Sequence, residues 1–571
     1  MSRPPSTRSH PTADLLLLGG SVITMDDSHP HATALAVAGD RVLAVGDDRA
    51  ICALAGPETR MIELGGRTVV PGLSDGHAHM DREGLKQVFP SLGPVRSITD
   101  IQARIAELAR ERPPGEWIVT MPIGTPPAYF DAPSCLAEGR WPTRHELDAA
   151  APDHPVLIRS IWGYWRHTPP LVSIANSAAL RAAGIDRSTV SPTPTLTIER
   201  DARGDPTGVF SEEAMMPIAE HSLLACAPGF TEADRIATLP AAMRAYHAFG
   251  TTSVFEEHGA SAELVRAYAA VHRSGGLSMR TTLVVSPDWQ ALRAGEAGTD
   301  PRAWGRLLDA AFAPLARGGI GDRQLRLDGL FVDIDPLADN AVRARSMPYT
   351  GWAGFNYDTA LAREKALALL VACAERDIRA IAIWPNMLDL FEAVDRQVGI
   401  RDRRWVLGHV STLSHRDVAR ARDLGLVATS HTNRYVYKEG HLLAQRLGAG
   451  REDEISPLRW LVEAGVPLAL ATDNVPVSMF WPMWQATTRL NRYTNQPVAP
   501  AQALDRRQAL RASTTSGAVL AFAEHERGRL APGLLADFAV LDADPLTVGD
   551  DRLRDIAADL TVVGGRIVWQ R

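Results

Sequence analysis

Residues 69–80 read Val69-Val70-Pro71-Gly72-Leu73-Ser74-Asp75-Gly76-His77-Ala78-His79-Met80. Two β-branched residues and a Pro-Gly break before His-x-His predict a strand that presents two imidazoles at its end. Residues i and i+2 of a strand face the same way, so His77 and His79 can reach one metal ion. Far along the chain, Thr472-Asp473-Asn474 supplies the carboxylate that such a site needs. The pattern therefore predicts a metal site built from distant segments.

The composition excludes several classes of protein. The chain has 571 residues, of which 45% are hydrophobic and 22% charged, as in an ordinary globular enzyme large enough for a barrel and a satellite domain. A formal net charge of −7 offers no basic surface for nucleic acid or an anionic membrane. The four cysteines show no paired spacing, which is typical of a reducing compartment. We expect a cytoplasmic protein that acts on a small molecule, binds neither nucleic acid nor membrane, and forms a homodimer.

Strand-like runs alternate with helical runs through the middle of the chain. After the His-x-His strand, seven more runs have strand composition: residues 251–255, 280–285, 324–327, 379–383, 405–407, 426–429 and 467–472. Helical stretches at 363–376, 416–424 and 457–464 separate several of them. Eight strands alternating with helices predict an α/β protein with a (β/α)8 TIM barrel. The fourth strand is the least defined, because residues 325–334 also fit one longer strand.

Both ends of the chain carry short apolar runs separated by glycine-containing turns. This pattern predicts hairpins, and we expect residues 13–70 and 526–571 to form one small β-sandwich domain. The metal-dependent barrel, residues 71–525, is then inserted between its two halves. Residues 1–12 have the composition of a disordered tail. Residues 85–245 are interpreted as an insertion after strand 1 that forms a lid over the site, since loops at this face of a barrel build the active site.

The predicted strand ends carry the candidate metal ligands. They are His77, His79, His409 and Asp473, and imidazole with carboxylate suits Zn, Mn or Fe. We expect one divalent ion, with zinc the first choice. A metal ion lowers the pKa of a bound water towards ~7, so Asp473 could take its proton and pass it to the leaving group, while His409 assists as a second catalytic residue. Asp473 also suits an alternative role as a helix N-cap at a βα turn, and the two roles can hold together.

The other polar residues at these strand ends are candidates for substrate contacts. An alternative structural role exists for each: His431 can satisfy a loop carbonyl, Trp384 can pack as a pocket wall, and the segment Glu256-Glu257-His258 can be a solvated turn or an ion pair. One residue of that segment could instead bind metal or substrate. The predicted substrate-binding residues are His431, Asn433, Trp384, Glu257 and His258.

Several motifs together resemble the amidohydrolase superfamily, and within it amidohydrolase family 3, which includes N-substituted formamide deformylases. Besides the His-x-His segment, these motifs are residues 142–156 (PTRHELDAAAPDHPV), 176–180 (NSAAL), 250–254 (GTTSV) and 528–538 (GRLAPGLLADF). The resemblance covers nearly the whole chain. It implies metal binding by His77 and His79 from strand 1, His409 from strand 6 and Asp473 from strand 8.

The sequence departs from that family pattern at three places. Relatives carry a strand 4 lysine four residues before Asp-Gly, but here Asp328-Gly329 follows Gln324, and none of the three lysines of the chain lies near it in sequence. Trp384 stands where a strand 5 histidine is usual, and residues 121–124 (MPIG) replace a Gly-Trp-Asp loop. We therefore expect a single metal, without a lysine bridge to a second one.

The expected function is hydrolysis of a C–N bond in a small amide, cyclic amide or N-acyl compound by a metal-activated water. Four tryptophans, Trp162, Trp165, Trp384 and Trp481, suggest an apolar or aromatic substrate moiety, although they could equally belong to the core. The alternatives are a decarboxylase, lyase or isomerase on the same barrel, or a deaminase of a small heterocycle. A non-catalytic binding protein is the last alternative, and retention of His77, His79, His409 and Asp473 argues against it.

Overall fold

The computed structural model describes residues 12–124, 132–160, 170–213, 217–316, 318–334, 351–356 and 360–571. These segments form a barrel, a two-sheet domain made from both ends of the chain, and a further sheet within the predicted insertion. Trp162 and Trp165 lie outside the described residues. Within the described part, no helix is both long and apolar enough to cross a membrane.

Eight parallel strands form the barrel, which confirms the predicted TIM-barrel fold. The ring closes after strand 1, where the Gly76 amide donates to the Leu470 carbonyl at 3.0 Å. Apolar side chains fill the interior, among them Phe255, Phe331 and Ile381. Barrel strands 1 to 8 are Leu73–Asp75, Thr251–Ala260, Arg280–Val285, Leu325–Phe331, Ala380–Ala382, Val406–Leu407, Val427–Ser430 and Leu468–Leu470.

Helices follow most of the barrel strands, and their starts agree with simple capping rules. A capping box at Thr231 begins the helix before strand 2, and another at Ser414 begins the helix after strand 6. The helices of the barrel region are Met80–Leu85, Glu232–His247, Ala262–Arg273, Pro301–Ala311, Arg363–Glu375, Leu388–Asp395, His415–Asp423, Gly440–Leu447, Leu458–Glu463, Phe480–Thr488, Arg506–Ala512 and Thr515–Leu520, with a π-helix at Asn433–Lys438.

The two chain ends build the predicted β-sandwich. Buried residues of both sheets, such as Leu17, Val37, Val69, Phe538 and Val562, form a single core. Two short helices, Asp48–Cys52 and Asp550–Leu553, complete these terminal segments. In sheet order, the strands are Arg41–Gly46, Ala34–Ala38, Ala13–Leu18 and Ala55–Glu63 in one sheet, and Arg566–Gln570, Ala558–Val563, Phe538–Leu541, Thr68–Pro71, Ser21–Ile23 and His31–Ala32 in the other.

The insertion after strand 1 contains a sheet that the sequence did not predict. Its core includes Ile105, Leu147, Ile158 and Ile174, so this part of the insertion is a packed unit. Its helices are Ile98–Arg110, Arg144–Ala150, Ser177–Ala182 and Ile218–His221. In sheet order, its strands are Leu196–Arg200, Pro206–Glu212, Leu171–Ala175, Val156–Ile158 and Ile118–Thr120.

Candidate metal centre

Four predicted ligands converge at the end of the barrel where the strands finish. The Nε2 atom of His77 lies 3.1 Å from Nε2 of His79 and 3.4 Å from Nε2 of His409. The Oδ1 atom of Asp473 lies 3.2 Å from Nε2 of His79 and 3.8 Å from Nε2 of His77. All four side chains are almost fully buried. Residues 77, 79, 409 and 473 therefore present three nitrogens and one oxygen to one small volume.

These spacings fit a metal ion better than they fit direct contacts between the side chains. Zinc binds imidazole nitrogen at about 2.0–2.1 Å in a tetrahedron, whose neighbouring ligand atoms are then about 3.4 Å apart. The four measured separations, from 3.1 to 3.8 Å, bracket that value. Two further groups bring ligand atoms within 4.8 Å of one another, namely His77 with His79 and His258, and His77 with Glu257 and His409. The donor set suits a divalent ion of the zinc type.

Each imidazole of the His-x-His pair has a glutamate on the side of its Nδ1 atom, and the one beside His77 is in direct contact with it. Glu257 makes a short contact with Nδ1 of His77, on the side of the ring opposite Nε2. Glu256 lies 3.8 Å from Nδ1 of His79 and accepts hydrogen bonds from the Met80 amide and the Tyr268 hydroxyl, both at 2.8 Å. A glutamate that contacts the outer ring nitrogen holds a metal-binding histidine in one tautomer and orientation, and Glu257 has this position beside His77, whereas Glu256 is too far from His79 for a hydrogen bond.

The predicted solvated turn at Glu256-Glu257-His258 is wrong. Barrel strand 2 continues through all three residues, and both glutamates are buried. The Thr429 hydroxyl lies 2.7 and 2.8 Å from the two carboxylate oxygens of Glu257, one of which it can donate to, and Gly408 packs directly against the same group. Burial raises the pKa of Glu257 to about 8 and that of Glu256 to about 8. These two carboxyls belong to the interior of the site.

Asp75 ties the ends of strands 1 and 8 together. It accepts from the His77 amide at 3.1 Å, from the Thr472 amide at 3.0 Å and from the Thr472 hydroxyl. The Asp473 amide in turn donates to the His77 carbonyl at 2.9 Å. Burial raises the pKa of Asp75 to about 7. These contacts hold His77 and Asp473, which come from opposite ends of the barrel sequence, in fixed positions relative to each other.

Two candidate ligands occupy strained backbone positions. The φ angles of His409, Asp473 and Asn474 are 46°, 52° and 51°. Holding a non-glycine residue in this backbone region costs on the order of 1–3 kcal/mol, and such residues concentrate at functional sites.

The next helix after Asp473 begins only at Phe480, so the alternative role of Asp473 as a helix N-cap is wrong.

The two predicted substrate residues after strand 7, His431 and Asn433, have different surroundings. Nε2 of His431 lies 3.1 Å from Oδ2 of Asp473, on the face away from His79. Asn433 serves the scaffold instead, since its amide donates to the Val475 carbonyl at 2.7 Å and accepts from Gln485 at 3.2 Å. His431 belongs to the centre, whereas the polar atoms of Asn433 are engaged elsewhere.

Lys438 is a residue of this region that sequence reasoning missed. It ends the π-helix that follows His431 and is 4% exposed. Burial lowers its pKa well below the ordinary lysine value, while the charge of Asp473 opposes that shift. The signal available in the sequence was its rarity, because Lys438 is one of three lysines in 571 residues.

Aromatic side chains form one wall of the site. The ring of His258 stacks on Phe355 with centroids 4.1 Å apart and lies 4.9 Å from the Phe331 ring. Trp384 meets His409 edge-on at 6.2 Å, so it is a wall residue beside a candidate ligand. Trp481 packs with Tyr437, Trp484 and Arg554 in the surrounding structure.

The register expected for strand 4 is wrong. Asp328 and Gly329 lie in the middle of strand 4, so Gln324 comes just before its first residue, at the end of the barrel opposite the metal ligands. Phe331, whose ring lies 4.9 Å from that of His258, occupies the other end of strand 4. Gln324 is therefore not the position that faces the metal ligands, and the expectation of a site without a lysine bridge stays a prediction.

Burial keeps the candidate ligands in the state that binds metal. It lowers the pKa of His77 to about 4 and that of His79 to about 3, and it lowers the pKa of His409 well below the ordinary value. Neutral imidazole is the form that coordinates a metal ion. Against the effect of burial, contacts with His431 and His79 hold the pKa of Asp473 well below its usual range.

Comparison with known proteins agrees with this geometry. A family model described as the amidohydrolase family matches residues 60–569. N-substituted formamide deformylase from Arthrobacter pascens is 28% identical over 517 residues, which cover 87% of each chain. Protein LONG AFTER FAR-RED 3 from Arabidopsis thaliana is 26% identical over 517 residues, or 87% of this chain and 81% of that one.

Among solved structures, the fold is similar to that of an uncharacterized metal-dependent hydrolase from Pyrococcus horikoshii OT3. The TM-score is 0.66 at 20% identity, over 94% of this chain and 99% of the other. The family match covers most of the chain and includes every strand of the barrel. The chain therefore belongs to the amidohydrolase family and is a hydrolase.

Proposed function

We propose that this hydrolase binds one divalent metal ion and cleaves a C–N bond of a small organic amide, cyclic amide or N-acyl compound. Zinc is the first choice of metal, with manganese or iron as alternatives. The observation that carries the proposal is the convergence of three imidazole nitrogens and one carboxylate oxygen at 3.1 to 3.8 Å. The deformylase from Arthrobacter pascens supports the bond type, since its name describes a reaction on an N-substituted formamide.

The two oxygens of Asp473 suit it to move a proton. Oδ1 faces the nitrogens of the metal centre, while Oδ2 lies 3.1 Å from Nε2 of His431. When bound, a divalent ion would lower the pKa of water and polarise the substrate carbonyl. Asp473 then accepts a proton on the side of the centre and delivers it to the leaving nitrogen, with His431 holding the carboxylate in place.

The walls of the site favour a substrate with an apolar or aromatic part. Beside His77 and His79, the ring of His258 stacks on Phe355 and lies at a tilt against Phe331. Flat apolar walls with a few polar groups are typical of small-molecule sites. We assign His258 and Trp384 to substrate contact.

A lyase or decarboxylase is the second candidate function. It is favoured by Phe331 and Trp384, which stand at the ends of strands 4 and 5 where a fuller ligand set would place metal-binding groups. A sparse ligand set leaves positions open for direct binding of substrate to the metal. Reaction in H₂18O separates the two, because only hydrolysis places solvent oxygen in the product.

Metal analysis tests the proposed centre. The parent protein is expected to hold about one equivalent of Zn, Mn or Fe, and the His77→Ala/His79→Ala variant none. Glu107→Ala, at an exposed ion pair with Arg104 in the insertion, is the control that must keep its metal. Two equivalents in the parent would contradict a mononuclear site, and no metal after reconstitution would contradict the proposal as a whole.

The role of Asp473 needs a separate variant. Asp473→Asn keeps an oxygen that can reach the metal but cannot hold the proton, so we expect bound metal together with a loss of kcat of ~10²–10⁴-fold. Loss of metal in step with activity would show that Asp473 is a ligand alone. Screening against N-substituted formamides, lactams and N-acyl compounds provides the assay.

A further inference from the structure

A polar cavity lies at the opposite end of the barrel from the metal centre. Its volume is about 310 Å³, and it is bounded by the first residues of strand 3, the turn before strand 4 and the chain segment that leads from the barrel into the β-sandwich. This volume is at the lower end of the range of small-molecule sites. The cavity shares no residue with the metal centre.

The cavity is unusually rich in arginine. Among the described residues, four guanidinium groups line it, from Arg280, Arg323, Arg326 and Arg527, against two carboxylates, Asp322 and Glu526. The planar guanidinium matches carboxylate or phosphate oxygens in pairs, so a group of this kind with donors to spare can hold an anion.

Among the described residues, three of the four guanidinium groups donate to an acceptor, whereas the side chain of Arg527 donates to none. Arg280 binds Asp537 through Nε at 2.6 Å and Nη2 at 2.8 Å. Arg323 donates to Glu526 at 2.9 Å, and Arg326 donates to the Gly318 carbonyl. Arg527 is 9% exposed, and its Nη1 atom is enclosed with no hydrogen-bond acceptor among the described residues.

A buried guanidinium without an acceptor is costly, and this cost identifies Arg527 as the group that a ligand would satisfy. Burial and the nearby Arg280 lower the pKa of Arg527 to about 10, so the group is still charged at pH 7. The nearby carboxylates of Asp537 and Glu526 favour the charged form of Arg527, but neither accepts a hydrogen bond from it, because Asp537 is bound by Arg280 and Glu526 by Arg323.

We propose that this cavity is a binding site for a small oxyanion, with a phosphate or carboxylate group held by Arg527 and Arg326. The ligand would contact both the barrel, through strand 4, and the segment that enters the β-sandwich, through Arg527. Binding therefore stabilises the junction between these parts, independently of the reaction at the metal centre.

The test measures the thermal stability of the protein with inorganic phosphate, sulfate or malonate at constant ionic strength. The parent is expected to show a saturable rise in Tm, because a ligand that binds only the folded state stabilises it. Arg527→Met should abolish the rise, and Arg527→Lys, which keeps the charge but loses paired donors, should bind the anion at least ~10-fold more weakly by calorimetry. Arg104→Met, at an exposed arginine of the insertion, is the matched control and should respond as the parent does.

Three outcomes would overturn the proposal. The first is the absence of a saturable response to any of the three anions in the parent. The second is an equal response in Arg527→Met and Arg104→Met, which is a general salt effect, and the third is loss of the response when the metal ligands are replaced. The His77→Ala/His79→Ala variant must retain the response, because a response that disappears with the metal ligands belongs to the metal centre. Comparison of phosphate with malonate identifies which oxyanion the site prefers.

Discussion

The carboxylate of Glu257 contacts Nδ1 of His77, while Nε2 of the same ring faces His79, His409 and Asp473. One imidazole thus connects a buried acid on one side with the candidate metal position on the other. The Thr429 hydroxyl, 2.7 and 2.8 Å from the two carboxylate oxygens, fixes the acid in turn. The metal centre is therefore supported from strand 2 and strand 7 as well as by the residues that face the ion.

The first prediction concerns Glu257. Replacement of this residue by alanine removes the acceptor that orients His77, and such changes typically weaken metal binding by 10- to 100-fold. We expect Glu257→Ala to weaken zinc binding by ~10–100-fold in competition titrations with a chelator. Glu107→Ala is the control, since Glu107 forms an exposed pair with Arg104 in the insertion. Equal zinc affinity in the parent and Glu257→Ala would show that Glu257 has no part in the site.

Gly408 leads to a second prediction at the same place. A Cβ atom on this residue would lie 2.5 Å from the carboxyl carbon and both oxygens of Glu257. The acid would have to move away from His77, and overpacking of a buried site costs ~1–3 kcal/mol. We expect Gly408→Ala to lower both metal affinity and the free energy of unfolding.

A matched glycine provides the control for Gly408. Gly295 has no heavy atom within 4 Å of its added Cβ, so Gly295→Ala should retain metal affinity and stability. Metal titration and urea unfolding of the two variants give the comparison. Normal metal binding in Gly408→Ala, with an intact fold, would contradict the close packing of Glu257.

Much of the barrel was predictable because its strands are local runs of apolar residues. The run 280–285 matches strand 3 residue for residue, and the other runs differ by a few residues at their ends. His77, His79, His409 and Asp473 could be predicted as neighbours because all follow strands of one parallel sheet. The homodimer and the cytoplasmic location stay predictions.

The remaining features depend on long-range packing. Glu256 and Glu257 follow an apolar run and have the composition of a turn. In the structure, strand 2 extends past them, and both side chains are buried in the barrel. The insertion sheet pairs Ile118–Thr120 with Val156–Ile158, two runs of three residues that are too short for a periodicity signal. Lys438 lies in a π-helix, which has no sequence pattern that distinguishes it from an α-helix.

A third prediction concerns the contact between the barrel and the β-sandwich. Asp537 binds Arg280 through both oxygens and also accepts from the Gly564 amide at 2.7 Å. Removing one partner of a buried pair leaves an uncompensated charge and costs ~3–5 kcal/mol. We expect Asp537→Ala to lose that amount in urea unfolding. Glu107→Ala, which breaks an exposed pair with Arg104, should cost no more than ~1 kcal/mol. Similar losses in both variants would contradict the prediction.

The last prediction is a pH dependence that comes from His247. The ring is fully buried, with Nδ1 2.8 Å from the Thr251 carbonyl and Nε2 2.9 Å from the Ser278 hydroxyl. Burial, opposed by the Thr251 carbonyl, lowers its pKa from 6.5 to about 4. Between pH 6.5 and about pH 4, His247 of the unfolded chain binds a proton that the folded protein excludes. The contribution of His247 to the free energy of unfolding is therefore complete above pH 6.5 and is lost as the pH falls to about 4.

The expected loss over that interval is on the order of 3 kcal/mol, from 1.36 kcal/mol for each unit of pKa. His247→Gln keeps a side-chain donor for the Thr251 carbonyl, but glutamine does not titrate. The free energy of unfolding of this variant should therefore fall less steeply below pH 6.5 than that of the parent. Urea unfolding of parent and variant at a series of pH values measures the difference, which cancels the contributions of the other histidines. His525→Gln, at a side chain that is 90% exposed, is the control. Parallel pH profiles for the parent and His247→Gln would show that His247 accepts its proton in the folded protein.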